Sequence, residues 1–282
     1  MRILPTGNRS AGAAPRGMRI LAAAVLVSLI AMRPAAVAEP EEFVALDYEI
    51  RLNEILIATL VIDAEVGPRT YRLDSRTETN GLMDLILGFR SRAHAHGEVM
   101  DGKVIPKLHS DDNVWIEEPR RVRIDYGPDG PDKIDVSPLP ADEGRDEVPA
   151  EKRLKTLDLM SAVFQTSLRA AEGKVCQSRA RVFDGRRRYD IAFFMGEVAD
   201  TAIGSQINCS AELIHIAGRT SAPWLPRGSA PRKFQYWLTR ISPDLPPVPS
   251  RMNAFGGIGW LVVQLTAHSR QRRPGSLDVE AD

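Results

Sequence analysis

A β-hairpin predicted over residues 179–198 constrains this chain more than any other stretch. Its centre is Asp184-Gly185, a dipeptide favoured where both central residues of a tight turn need positive φ. Apolar and polar residues alternate on both sides, so that each strand has an inward and an outward face. The inward residues are Ala180, Val182, Tyr189, Ile191 and Phe193. The only two cysteines, Cys176 and Cys209, bracket the hairpin. We therefore predict an exported β-protein in which they form a disulfide, two buried free thiols being the alternative.

The N-terminus predicts a cleaved export signal. Arg16 and Arg19 precede an apolar run, residues 20–32, which is too short to span a bilayer comfortably. A small-x-small motif ends at Ala38, so cleavage is expected between Ala38 and Glu39. A membrane anchor that is never cleaved is the alternative interpretation.

Removal of residues 1–38 gives the mature chain a net negative charge. This segment holds five arginines and no acid, so the 37 basic residues fall to 32 against 37 acidic ones. A nucleic-acid partner would call for a clustered basic surplus, and no later stretch has the apolar length of a membrane span. We expect a periplasmic protein with no nucleic-acid partner and no stable membrane span after cleavage. Translation could start at Met1 or at Met18.

Residues 39–268 are predicted to form a single β-sheet domain. Alternating runs separated by turn residues indicate about ten antiparallel strands. One helix is predicted over residues 155–172, where apolar residues recur at three-to-four spacing. The proline-rich acidic residues 127–151 are predicted to be a surface loop, and residues 269–282 a flexible tail. The predicted fold is mainly β (α+β): a strongly curved antiparallel sheet or incomplete barrel with one packed helix.

The concave face of such a sheet has to be filled by a helix, by side chains or by a ligand. The predicted helix would place four apolar side chains on that face: Leu157, Met160, Phe164 and Leu168. These residues either seal a dry core or form one wall of an apolar pocket, and we predict the pocket.

Two histidines, His94 and His96, share one face of a predicted strand. With His109 or Asp101 they could bind a metal ion. The same face carries other polar residues, which indicates that it is solvated, so no metal site is predicted. The chain also lacks a nucleophile-elbow motif and a phosphate-binding loop. We therefore predict no catalytic residues and no cofactor.

Three arginines, Arg186, Arg187 and Arg188, follow the hairpin turn. One interpretation is a site for an anion or headgroup, and the other is a solvated hairpin end. Because charge runs at turns are common, we predict the solvated end.

Three further stretches carry a family resemblance. They are residues 157–162 (LDLMSA), residues 182–189 (VFDGRRRY) and residues 245–249 (LPPVP). Together they resemble the exported bacterial domain-of-unknown-function family numbered 3108, over roughly residues 43–268. Leu159-Met160 departs from the Asp-Pro-Leu-Ser-Ala pattern that the family usually has at the helix start. The resemblance implies a periplasmic protein whose fold is similar to lipoprotein-carrier half-barrels that enclose a hydrophobic cavity. It implies no activity, cofactor or catalytic residue.

Three functions compete on this sequence. The first is a non-enzymatic binder of an apolar or lipid-like ligand of the cell envelope, which the export signal and the concave sheet favour. The second is a structural or interaction protein of the envelope, with residues 127–151 and the sheet edges as contact surfaces. The third is a metal-dependent enzyme that uses His94 and His96. We predict the first, although fold alone does not transfer function.

Overall fold

The structure is a computed structural model, and it describes residues 41–201, 204–219, 232–257 and 259–273. The predicted signal peptide, its cleavage site between Ala38 and Glu39, and residues 274–282 of the predicted tail lie outside these ranges. Within them, no helix has the length and apolar character needed to cross a membrane.

Thirteen strands form one sheet in the described part of the chain. They are β1 Glu41–Leu52, β2 Ile55–Val66, β3 Thr70–Thr79, β4 Arg90–Met100, β5 Lys103–Trp115, β6 Glu118–Gly127, β7 Gly130–Ser137, β8 Arg179–Phe183, β9 Arg188–Thr201, β10 Gly204–Ala217, β11 Lys233–Thr239, β12 Val248–Gly256 and β13 Gly259–Arg273. The helices are α1 Leu82–Leu87, α2 Ala150–Arg153 and α3 Leu159–Ala171, followed by a 3-10 turn at Val175–Gln177.

The sheet is an antiparallel meander whose first and last strands are paired. Its order is β7-β6-β5-β4-β3-β2-β1-β13-β12-β11-β10-β9-β8. β1 pairs with β13 from Glu41↔Arg273 to Leu52↔Leu261. The two edge strands, β7 and β8, are not paired with each other, so the barrel is incomplete. The predicted fold class is confirmed.

Residues 153–158 lie between the two edge strands. Leu157 forms a parallel bridge with Val182 of β8. On the other side, the Lys155 N–H donates to the Asp129 carbonyl in the β6–β7 turn at 2.7 Å. This segment therefore supplies backbone partners to both edges and shields them from further pairing.

The tip of the β8–β9 hairpin also lies against the opposite edge. Gly185 in this turn has φ +86°, and a Cβ atom there would come within 2.6 Å of Val122 on β6. A glycine suits this position because it accepts positive φ and leaves room for the close approach. Phe183 packs with Val122, Ile124 and Val148 in a small buried cluster. Side-chain packing, rather than a hydrogen-bonded ladder, holds the edges together here.

Helix α3 begins at Leu159, four residues later than the sequence predicts. Asp158 is its N-cap, and its Oδ1 accepts a hydrogen bond from the Ser161 N–H at 2.8 Å. Lys155 has φ +54°, which a right-handed helix excludes. Leu157 therefore lies outside the helix, and its predicted place on the helix face is wrong.

Two other predictions need correction. Residues 127–151 are not a surface loop throughout, because they contain β7 and the start of α2, and the Glu143 side chain is only 8 % exposed. Residues 269–273 are not a flexible tail, because they belong to β13, for which β1 provides a pairing partner.

Two apolar clusters lie on opposite sides of α3. The disulfide core comprises Ala162, Ala170, Val175, Ala180, Val182, Tyr189, Ile191, Phe193, Cys209, Ala211, Tyr236 and Leu238. The cavity-side cluster comprises Val44, Leu46, Tyr48, Ala64, Tyr71, Leu73, Val104, Phe164 and Leu245.

Cys176 and Cys209 are joined by a disulfide, as the sequence predicts. Cys209 lies on β10, opposite Gly196 of β9. A Cβ atom at position 196 would collide with the sulfur of Cys176, so only glycine leaves space for the bond. The disulfide thus ties the 3-10 turn after α3 to the sheet.

Candidate functional site

A cavity of about 1010 Å³ lies between α3 and the concave face of the sheet. Two other clefts, of about 380 and 560 Å³, are smaller. The large cavity has an apolar wall built from β1, β2, β3, α3 and residues 245–249. Its members are Val44, Leu46, Tyr48, Leu60, Ile62, Ala64, Val66, Leu73, Met160, Val163, Phe164, Leu245, Pro246, Val248 and Pro249. A cavity of this size is in the range that binds small organic molecules.

Of the four predicted pocket residues, the structure places Met160 and Phe164 in the cavity wall. Leu168 packs against the cavity-side cluster without lining the cavity, and Leu157 packs against the disulfide core. Val163 lines the cavity in addition, and sequence reasoning missed it. It lies three residues after Met160 on the same helix, so the helical period could have identified it.

Side-chain hydrogen bonds fix α3 against the sheet. The hydroxyls of Tyr71 and Ser161 are 2.7 Å apart and hydrogen-bonded. Gln165 accepts from the Val104 N–H and donates to the Gly102 carbonyl, both at 2.8 Å. The cavity face of α3 therefore has a defined position relative to β3, β4 and β5.

A buried polar network lies at the start of α3. The Ser161 hydroxyl donates to Asp158 Oδ2 at 2.5 Å, and His109 Nδ1 is 3.6 Å from Asp158 Oδ1. Among the described residues no hydrogen bond joins Ser161 to His109, and Ser161 is fully buried. A hydrolase triad needs a serine hydroxyl that is bonded to the histidine and reachable by substrate. Ser161 meets neither condition.

The phenol of Tyr71 belongs to the same network. Burial, and secondarily the Asp158 carboxylate, raise the pKa of Tyr71, so its phenol stays neutral.

The cavity wall also contains four arginines. They are Arg120 of β6, Arg145, Arg186 and Arg187, and we call these four residues the arginine cluster. Glu143 lies behind three of them. Its carboxylate oxygens are 3.0 Å from Arg120 Nη2, 3.2 Å from Arg145 Nε and 3.0 Å from Arg186 Nε.

The predicted solvated hairpin end is wrong for two of its three arginines. Arg186 and Arg188 are buried. Arg186 Nη2 donates to the carbonyls of Ser137 at 2.9 Å and Pro138 at 3.1 Å, because the hairpin tip lies against β6 and β7. Burial lowers the pKa of Arg186, while the nearby Glu143 opposes that shift. Arg188 Nη1 donates to Asp190 Oδ1 at 2.6 Å.

Arg187 differs from its two neighbours, since 52 % of its side chain is exposed and it lines the cavity. Its guanidinium contacts the Asp184 carboxylate at 2.7 Å and lies 5.8 Å from the centre of the Tyr189 ring. The Asp184 charge raises the pKa of Arg187, so the side chain remains cationic.

The two histidines of the candidate metal site lie on the outer face of the sheet, away from the cavity. His94 Nδ1 is 2.8 Å from Asp74 Oδ1, and His94 Nε2 is 3.0 Å from His96 Nδ1. His109 pairs with Ala95 in the β4–β5 register and lies on the other face, while Asp101 is in the turn between these strands. The structure therefore does not bring His109 to the two histidines.

Part of the cavity wall carries exposed apolar side chains. Phe89 and Trp115 line the cavity there, with their rings 5.8 Å apart in an edge-to-face arrangement, and Trp115 is exposed. Ile116 lies beside them and is largely exposed. An apolar molecule could enter here along apolar side chains.

No family model and no curated protein matches the chain. Among solved structures, it is similar to the beta-barrel-like protein of domain of unknown function DUF1849 from Brucella abortus. The two share 9 % sequence identity with a TM-score of 0.44, over 83 % of this chain and 98 % of that chain. Membership of the family numbered 3108 stays a prediction.

Proposed function

We propose that this protein is a non-enzymatic binder of an apolar or lipid-like molecule of the cell envelope, and that it acts in the periplasm. The observation that carries the proposal is the apolar cavity of about 1010 Å³ between α3 and strands β1 to β3. The predicted export signal and the disulfide support the periplasmic location.

The cavity is large for a protein interior. Protein interiors are close-packed, and side chains beside a void lose the dispersion contacts that packing would give them. The other side of α3 shows that this chain packs closely where no space is needed, since Ala162 and Ala170 are almost completely buried there. An apolar chain in the cavity would restore those contacts and remove the wall from water.

The alternative, an interaction protein of the envelope, has less support. The acidic stretch contributes Glu143 to an internal ion-pair cluster, and residue Leu157 covers the edge of β8. The two surfaces proposed for contacts are therefore partly occupied within the chain.

A chain-length series of neutral ligands tests the proposal. Octanol, decanol and dodecanol would compete with the neutral fluorescent probe N-phenyl-1-naphthylamine for the purified protein. Each buried methylene adds about 0.8 kcal/mol, so two more should tighten binding about tenfold. Affinity that does not depend on chain length, or no competition at all, would contradict a cavity that holds the chain.

A matched pair of variants locates the binding. Thr77 of β3 lines the cavity, whereas the next residue, Glu78, is exposed on the outer face. Thr77→Trp should occupy part of the cavity and weaken competition, while Glu78→Trp should bind as the wild type does. Tryptophan is well tolerated in strands, so both variants should fold. Equal binding by the two would place the probe elsewhere.

A further inference from the structure

We infer that the arginine cluster binds the anionic headgroup, a phosphate or a carboxylate, of an amphiphile whose apolar chain occupies the cavity. The inference rests on the proposed function, because the chain needs the apolar wall. It adds the chemical class of the ligand and the residues that recognise its polar end.

The cluster has more donors than its own acids can use. Three guanidinium groups, each with five N–H donors, converge on the single carboxylate of Glu143. Arg186 Nη2 donates to the backbone carbonyls of Ser137 and Pro138, so this arginine also stabilises the contact between the hairpin tip and β7. Arg120 and Arg145 have no comparable set of backbone partners among the described residues, and both line the cavity.

Several of these polar atoms lack hydrogen bonds. Arg120 Nε, Arg186 Nε and Glu143 Oε1 are buried without a hydrogen-bond partner in the described part of the chain. The Glu143 contacts to Arg120 and Arg186 are short ion pairs whose angles do not satisfy hydrogen-bond geometry. Buried polar atoms in native proteins are nearly always bonded, and an unmet one is costly. An anion in the cavity would give the arginines additional acceptors through charge-assisted, often bidentate bonds.

Arg187 is a fourth cation of the cavity wall, and a ligand in the cavity can contact it. Half of its side chain is exposed, and Asp184 is the carboxylate that it contacts. It lines the same cavity as Arg120 and Arg145, and Glu143, which contacts both of them, is close enough to add to the effect of Asp184 in raising the pKa of Arg187.

Besides Asp184, which pairs with Arg187, two further acids line the cavity and argue for the opposite ligand charge. Asp111 already accepts hydrogen bonds from Ser91 at 2.7 Å and Asn113 at 3.0 Å, and Glu118 is exposed. Neither is within ion-pair distance of the arginine cluster in the described residues. The test therefore includes a cationic ligand.

The experiment compares four ligands with the same chain and different headgroups: dodecanoate, dodecyl phosphate, dodecanol and dodecylamine. Their dissociation constants would be measured by displacement of the neutral probe. At least one anion should bind about tenfold or more tightly than dodecanol, since a hydrogen bond to a charged group contributes that much. Tighter binding of the phosphate would indicate a lipid headgroup, and tighter binding of the carboxylate a fatty acid.

Variants then assign the preference to the cluster. Arg120→Gln and Arg187→Gln should each weaken binding of the anion more than binding of dodecanol, and so reduce the advantage of the anion. The control is Arg121→Gln, because Arg121 adjoins Arg120 on β6 but is exposed and pairs with Asp112 on the outer face. Thermal unfolding would verify folding, and Arg187→Gln alone suffices if Arg120→Gln does not fold.

The outcomes separate the two proposals. If dodecanol binds as tightly as both anions, or dodecylamine binds most tightly, the headgroup inference is overturned and the cavity proposal stands. If Arg187→Gln and Arg120→Gln keep the full preference for anions, the assigned residues are wrong. If none of the four ligands binds, both proposals are overturned.

Discussion

Helix α3 faces the disulfide core on one side and the cavity on the other, and the two sides are built from different residues. Towards the core it presents Ala162 and Ala170, which are 1 % and 3 % exposed and allow the sheet to approach closely. Towards the cavity it presents Met160, Val163 and Phe164, which are larger but leave about 1010 Å³ unfilled.

The comparison shows how this fold keeps a space open. The disulfide and the small residues fix α3 on the core side, while Gln165 and the Tyr71–Ser161 hydrogen bond fix its distance from the sheet on the other. Because the helix is held on both sides, it cannot move inward and close the cavity. A core that could collapse would remove the void and recover dispersion contacts.

The largest expected difference is between two phenylalanines with almost equal burial. Phe193 of the disulfide core is 6 % exposed, and Phe164 of the cavity wall is 7 % exposed. Phe193→Ala should lower the free energy of unfolding by about 3–5 kcal/mol, because it leaves a new void in a packed core. Phe164→Ala should lower it by about 1.5–3 kcal/mol, because the space beside its ring is already open.

Denaturant unfolding measures both values, and dodecanol binding provides the second readout. Only Phe164→Ala should weaken dodecanol binding. Equal losses of stability without any change in binding would mean that the cavity side is a dry core in solution.

Removal of the disulfide should be slightly less severe. The bond closes a loop of 33 residues, so Cys176→Ser with Cys209→Ser should cost about 3–4 kcal/mol. Dodecanol affinity of the folded variant should stay unchanged, since Gln165 still anchors α3 to the β4–β5 turn. A folded variant that no longer binds would show that the disulfide core also positions the cavity wall.

The smallest expected effect is a pH dependence of stability. It arises at His96 on the outer face of the sheet and does not involve the cavity. Burial, and then electrostatic interactions with His94 and Arg72, lower the pKa of His96 in the folded protein. The unfolded chain therefore binds the proton more readily, and stability should fall as the pH drops below about 6.5. His96→Gln should reduce this acid sensitivity of the unfolding temperature. Identical pH profiles for wild type and His96→Gln would contradict the assignment.

The sequence predicts those features that depend on neighbouring residues. Asp184-Gly185 indicates its own turn, and period-two alternation indicates the strands, because both are local properties of the backbone. The start of α3 also has a local signal, since Asp158 is a favoured N-cap residue directly before Leu159. The apolar period alone does not mark this start, because it continues N-terminal to the cap.

The arginine cluster could not be predicted in this way. Arg186 is buried because the hairpin tip lies against carbonyls of residues that are 48 and 49 positions away in the chain. Glu143, which contacts three of the arginines, belongs to a stretch whose composition indicates a solvated loop. Local charge patterns give no information on contacts at this distance, so a run of arginines indicates only a surface.

Calorimetric titration with dodecanoate at several temperatures tests most directly whether the interior of the incomplete barrel is a binding cavity. Burial of an apolar chain gives a negative heat-capacity change. We predict one binding site with this signature in the wild type and in Glu78→Trp, and weaker binding in Thr77→Trp. Binding without a heat-capacity change, or undiminished binding in Thr77→Trp, would contradict this prediction.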